Sequence, residues 1–250
     1  MPYIDLEIKA PVAYIFFNRP DKWNAMHTAL LEELGQILDQ AAADPEIRLL
    51  VLSGKGKAFS SGVDLKALQA LDTVDEAKQF AMLLEEVSEK IFLHPKPVVA
   101  VVNGLALGGG FGFATAADLR IAGSEAVISY PAVKLGAILP AGCTVFLESI
   151  VGRAKAMDLL LTGKKLDANQ ALEIGLVDYV FDHTQLWDQT EALIGQILEG
   201  GDTALQLTKK TVNYRTQFFL NAVKMYAPDN FAYLSKTPDW ESRLKHFGKK

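Results

Sequence analysis

The sequence predicts an α/β fold built on a mostly parallel sheet and followed by a helical region, and three observations carry that prediction. Between residues 3 and 181, short β-branched runs alternate with segments of helical period, the order produced by parallel strands joined through crossover helices. Two glycine-bearing loops, at residues 59–65 and 108–112, fall just after such runs, where ligands sit in sheets of this kind. From Leu186 onward the periodicity is helical only.

Residues 3–9 alternate apolar and polar side chains, Ala10-Pro11 turns the chain, and residues 12–17 are more continuously apolar, so a β-hairpin opens the fold. Asn18-Arg19-Pro20-Asp21 stops the second strand. With Thr28 as N-cap, Leu30, Leu31, Leu34, Ile37, Leu38 and Ala41 recur at helical spacing until Asp44-Pro45. Residues 49–52 read as a short buried strand, ended by Ser53-Gly54-Lys55-Gly56. The loop FSSGVDL (59–65) precedes a helix over 74–92, whose Val74, Ala77, Phe80, Ala81, Leu84, Val87 and Ile91 share one face. Pro95 and Pro97 separate that helix from a strand starting at Val98, which runs through Asn103-Gly104 into three glycines and a small-residue helix ending at Asp118. Strands follow at 119–122 and 127–129, helices at 144–150, 154–161 and 168–174, and a last strand at 176–181. The tail then carries Tyr214, Phe218, Phe219, Tyr226, Phe231, Tyr233, Trp240 and Phe247, enough aromatic surface to require either the core or a subunit interface to cover it. Gly200-Gly201 is the one linker-like break; it divides a core, residues 1–199, from a helical region, residues 200–250.

Composition narrows the function classes. Half of the 250 residues are hydrophobic and 22% are charged, the balance of a soluble globular chain. A net charge of −5 and a pI near 5.4 argue against a nucleic-acid partner, and Lys245, Lys249 and Lys250 read as a solvated tail. The single cysteine, Cys143, excludes an intrachain disulfide. His27, His94, His183 and His246 lack metal-ligand spacing, so no metal is expected. No basic segment followed by an apolar run opens the chain, and no apolar stretch reaches membrane-spanning length, so the expectation is a cytoplasmic protein without a membrane partner.

The triplet Gly108-Gly109-Gly110 is not a dinucleotide fingerprint, because G-x-G-x-x-G needs glycine where Phe113 or Thr115 stands. No Gly-Lys-Ser/Thr element follows to make a phosphate loop. Two readings remain. Either the glycines allow close packing of a helix, or they expose helix N-terminal N–H groups to an atom carrying negative charge. The second reading needs another donor, and FSSGVDL offers one: Gly62 permits a tight turn and leaves the Val63 N–H free, while Asp64 caps the next helix. If the Val63 and Gly109 N–H groups converge, they form an oxyanion hole.

Taken together, NRPDKWNAM (18–26), FSSGVDL (59–65), NGLALGGG with AADLRIA (within 103–122) and LTGKKLDANQALEIGLVDYV (161–180) resemble the crotonase, or enoyl-CoA hydratase/isomerase, superfamily, in order and along nearly the whole chain. The resemblance implies a spiral core of ββα turns with a C-terminal α-helical trimerisation region, assembled as a homotrimer or a dimer of trimers. It implies an acyl-CoA substrate, with coenzyme A part of that substrate and no separate cofactor. The thioester carbonyl would lie between the N–H groups of Val63 and Gly109, and Lys22, Ser61, Asp64 and Lys66 would meet the coenzyme A portion.

Hydratases of the superfamily carry a glutamate two residues after the glycine triplet and another in a Q-P-E element. Here those positions are Gly112 and Ala132, and the P-E-G-C element of some isomerases reads Pro140-Ala141-Gly142-Cys143. Adding water across a double bond needs proton transfer at two carbons, which glycine and alanine cannot perform, so ordinary hydration is not expected. Tyr130 as acid and Lys134 as base, flanking Ala132, are the substitutes put first, beside Thr115 and Thr144 near the two loops and Tyr226 or Tyr233 from the tail. Isomerisation by a displaced base, decarboxylation of a malonyl-type thioester and thioester hydrolysis stay open, as does a non-catalytic acyl-CoA binder or structural subunit.

Overall fold

The computed structural model describes residues 2–138 and 141–246. The antiparallel hairpin β1 (Ile4–Lys9) and β2 (Val12–Phe17) leads into α1 (Thr28–Ala43). Three strand pairs follow: β3 (Leu49–Gly54) with β4 (Ala58–Ser60), β5 (Val98–Val102) with β6 (Leu105–Leu107), and β7 (Leu119–Gly123) with β8 (Val127–Ser129). Between them lie α2 (Leu65–Gln69) and α3 (Val74–Phe92), then α4 (Gly109–Ala116). After β8 come α5 (Ala141–Thr162), β9 (Lys165–Asp167), α6 (Ala168–Glu173), β10 (Tyr179–Phe181), α7 (Leu186–Leu198), α8 (Asp202–Val223), α9 (Ala227–Leu234) and α10 (Pro238–His246).

Each pair sends its first strand to one sheet and its second to another. The larger sheet has the order β1-β2-β3-β5-β7-β10 and is parallel apart from the hairpin; the smaller has the order β4-β6-β8-β9, with β8 and β9 antiparallel. The chain thus advances one strand in both sheets per ββα turn, which makes a spiral. Along the large sheet, Ile15, Phe17, Leu50, Leu52, Ala100 and Val102 face the main core shared with α1, α3 and α4. Their alternates Tyr14, Phe16, Leu49, Val51, Val99 and Val101 face α7 through Leu186 and Ile194. Covering on both faces explains why these strands read as continuous apolar runs.

Three expected boundaries change. Thr28 is the first helical residue of α1; the cap is His27, extended at φ −135, ψ 171, whose Nδ1 accepts from the Leu30 N–H at 3.2 Å in place of a hydroxyl. The helices expected from 144 and from 154 are both parts of α5, which is broken only at Gly152 (φ 74, ψ 159). The last strand begins at Tyr179, because the Leu176 N–H bonds back to Ala171 O at 2.8 Å in the turn after α6 and does not pair with β7. Pro140, Phe247, Lys249 and Lys250 lie outside the described residues, as do the side chains of Ala141, Lys245 and His246. The tail aromatics divide: Phe231 and Trp240 are buried edge to face at 5.3 Å, while Tyr214 and Phe218 on α8 are 74% and 70% exposed.

Candidate active site

The loop between β2 and α1 is braced from within. Asn24 is fully buried; its Oδ1 accepts from the Arg19 N–H at 2.9 Å, and its Nδ2 donates to Lys55 O at 3.0 Å and Ala58 O at 2.7 Å. The Arg19 guanidinium donates to Ala25 O and pairs with Asp64 at 3.2 Å. This brace lays the loop against the one after β4: the Met26 N–H donates to Gly62 O at 2.8 Å and the Asp64 N–H to Met26 O at 2.7 Å. Both groups flank Val63, whose own N–H is left without an acceptor among the described residues.

The second loop reaches the same place from β6. Gly108, at φ 52 and ψ −128, holds a conformation closed to side-chain-bearing residues, and its N–H donates to Ser129 O at 2.8 Å. Gly109 is then the first residue of α4, where N–H groups lack helical partners and the dipole is positive. The loops touch: a Cβ on Gly109 would lie 3.8 Å from Val63 Cγ2, and one on Gly62 (φ 89) would lie 3.6 Å from the Gly109 nitrogen. Gly110 is required for packing, since its Cβ would meet Ser60 O at 2.6 Å. The triplet therefore both packs closely and presents an amide.

The two amides border a cavity of about 420 Å³, lined by the loops and by Leu68, Leu84, Leu107, Ala132, Leu135, Ala137, Ile138 and Phe231. Larger concavities exist, but the one between α3 and the connection from α8 to α9 is an open surface groove away from both amides. Of the expected coenzyme A residues, Lys22, Ser61 and Asp64 line the cavity, and Lys66 does not. Asp64 has structural duties, accepting from the Lys66 N–H at 3.0 Å as the cap of α2 and holding Arg19.

The expected acid and base are not brought into the cavity. Tyr130 is buried behind α4 with its ring edge-on to Phe111 at 5.6 Å, and its hydroxyl lacks a hydrogen-bond partner among the described residues. Burial pushes that phenol well above its usual value, which holds the proton on it. Lys134 is exposed and donates from Nζ to Gly163 O at 2.7 Å, away from the lining. Thr115 donates to Gly112 O at 2.7 Å, and Tyr226 and Tyr233 point to solvent. Asp118 anchors the turn after α4, accepting from the Val98 N–H at 2.7 Å and pairing with Lys209 at 2.8 Å. No cluster suited to a metal ion occurs among the described residues. Sequence reasoning gave no site role to Trp23, 49% exposed on the cavity rim within the NRPDKWNAM motif, or to Phe231, a tail aromatic that closes the far wall from α9.

A spiral of ββα turns closed by C-terminal helices defines the crotonase class of α/β proteins. The chain belongs to the enoyl-CoA hydratase/isomerase family, whose family model matches residues 7–250. It is 34% identical to the crotonyl-CoA hydratase of Syntrophomonas wolfei, over 98% of this chain and 94% of that protein. It is 31% identical to the short-chain-enoyl-CoA hydratase of Clostridium acetobutylicum, over 97% and 93%. Among solved structures, an enoyl-CoA hydratase from Bacillus halodurans superposes with a TM-score of 0.92 at 27% identity, covering 98% of this chain and all 100% of that one. A monofunctional enoyl CoA isomerase from M. smegmatis gives 0.74 at 26% identity, covering 87% and 95%. No helix among the described residues is long and apolar enough to cross a membrane.

Proposed function

We propose that the chain binds an acyl-CoA thioester in the 420 Å³ cavity, with the carbonyl oxygen on the Val63 and Gly109 amides, and stabilises the enolate that forms there. The carrying observation is the pair of unpartnered amides on touching loops at the edge of an apolar cavity. In such surroundings one donor is worth about 100–1000-fold in rate. Coenzyme A thioesters are named for relatives of both hydratase and isomerase type, which supports the substrate class.

The lining favours one reaction over the others. Its inner wall is Leu84, Ala132, Leu135, Ala137, Ile138 and Phe231, and its carboxylates, Asp21 and Asp64, belong to the rim and the Arg19 pair. A wall with no proton-transfer group among the described residues favours a reaction that makes its own carbanion. In a thioester bearing a carboxylate at C2, the bond between C2 and that carboxylate breaks, its electron pair becomes the enolate held by the two amides, carbon dioxide leaves, and water returns a proton to C2. The same bare wall favours, as the second reading, a non-catalytic acyl-CoA binder.

Product analysis over malonyl-, enoyl- and β-ketoacyl-CoA, paired with calorimetric titration, separates the two: tight binding with no product from any of them selects the binder. Gly109→Pro deletes one amide at a helix position that accepts proline, so turnover falls at least about 100-fold with the fold intact. Unchanged turnover sinks the oxyanion assignment. The exposed aromatics of α8 support assembly with further copies as a trimer or dimer of trimers.

A further inference from the structure

Gly112 lies three residues beyond Gly109 on α4, in a helix interior where glycine is a poor choice, and its φ is not positive. Its backbone therefore makes no demand for glycine. The demand comes from the neighbouring helix: a Cβ on Gly112 would lie 2.0 Å from Cys143 Sγ, 3.1 Å from Cys143 Cβ and 4.0 Å from Cys143 Cα. The obstruction is the cysteine side chain, since a 4.0 Å approach to a Cα is ordinary contact. Cys143 is fully buried in the core between α4 and α5, so its sulfur yields only by displacing packed neighbours. The Gly142 N–H beside it donates to Glu85 Oε2 at 2.9 Å, which ties the first turn of α5 to α3. Burial, then the Glu85 charge, push the thiol far above its usual value, so it fills space as a neutral group and exchanges no proton near neutral pH.

We propose that Cys143 determines the reaction class of this protein: its side chain occupies the volume that any side chain at position 112 needs, and so keeps a proton-transfer group off α4. The functional half of this inference rests on the acyl-CoA reading above and on the resemblance that puts a hydratase glutamate at 112, since Gly112 is not itself among the residues lining the cavity; the steric half rests on neither. It follows that a glutamate restored at 112 finds no space while Cys143 is present.

Two experiments test it. In the first, melting temperatures are compared for Gly112→Ala alone, with Cys143→Ala and with Cys143→Gly. The single variant is expected to melt at least about 5 °C below the wild type. Recovery should be partial with C143A, whose Cβ stays 3.1 Å away, and fuller with C143G. Tolerance of G112A alone, or recovery that does not follow this rank order, overturns the proposal.

In the second, crotonyl-CoA hydration is measured for A132E/G112E and for A132E/G112E/C143G, with thioester affinity measured in parallel. The triple variant should hydrate at least about tenfold faster than the double. Equal rates in folded proteins that bind the thioester overturn the control of reaction class. Failure of the wild type to bind any acyl-CoA sinks the functional reading instead, while the melting series still decides the steric claim.

Discussion

Asn24 shows how much one side chain contributes to the rim of this cavity. It and Trp23 both adopt left-handed backbone, at φ 56 and φ 52, a conformation that costs side-chain-bearing residues energy and persists only where neighbours hold it. The neighbours here are the three hydrogen bonds of the Asn24 amide. Asn24→Ala leaves two carbonyls and an N–H to be satisfied in the interior, and is expected to lower stability by about 2–4 kcal/mol in urea unfolding. A loss under 1 kcal/mol would show that the loop is held by Arg19 instead. At this scale the sequence misleads where adjacency stands in for direction. Tyr130 and Lys134 both flank Ala132, yet only Ala132 faces the cavity, because Tyr130 is turned into the core behind α4 and Lys134 reaches out to Gly163. Val63 and Gly109 were legible for the opposite reason: a backbone N–H needs no rotamer, only the glycine geometry beside it.

Between elements, the short connection from α3 to β5 carries a buried histidine. His94 Nδ1 accepts from the Lys96 N–H at 3.2 Å and Nε2 lies 3.3 Å from Leu38 O, which fits a neutral ring donating to α1. Burial first, and the Lys209 charge second, pull its pKa from 6.5 down to about 4. The unfolded chain therefore takes up the proton at higher pH than the folded one. Between about pH 6.5 and pH 4 the unfolded state binds more protons, so stability falls as the pH falls through that window and is level above it. The loss amounts to about 3 kcal/mol across the window, at 1.36 kcal/mol per pKa unit. Urea titrations from pH 7 to pH 4 should show this slope, and His94→Gln should flatten it; an equal slope in both proteins would assign it elsewhere. The element pattern itself was readable from periodicity, while caps were not: His27 does the work expected of Thr28 because cap choice depends on which side chain reaches the Leu30 N–H.

At the scale of the whole molecule, the tail divides its labour. α9 packs on α3, and Phe231 closes the cavity with Trp240 behind it, whereas α8 leaves Tyr214, Phe218 and Phe219 in solvent. A single chain gains nothing from exposing such rings, and copies that cover them recover apolar area. Sedimentation equilibrium is expected to give three or six times 27.3 kDa, and Phe218→Asp to shift the distribution toward the single chain. A monomeric wild type would contradict the assembly.

Periodicity, the two glycine loops and the order of the motifs were sufficient for the spiral α/β class and the family, and they pointed to the pair of amides on which the proposed site is built. These depend on backbone conformation and on local apolar patterning, and both are written residue by residue. The closing of the cavity by Phe231, the exile of Tyr130 and Lys134 from it, and the filling of the space beside Gly112 by Cys143 were decided only in three dimensions. Each depends on side chains from segments distant in the chain meeting at one point, and no local pattern encodes such a meeting.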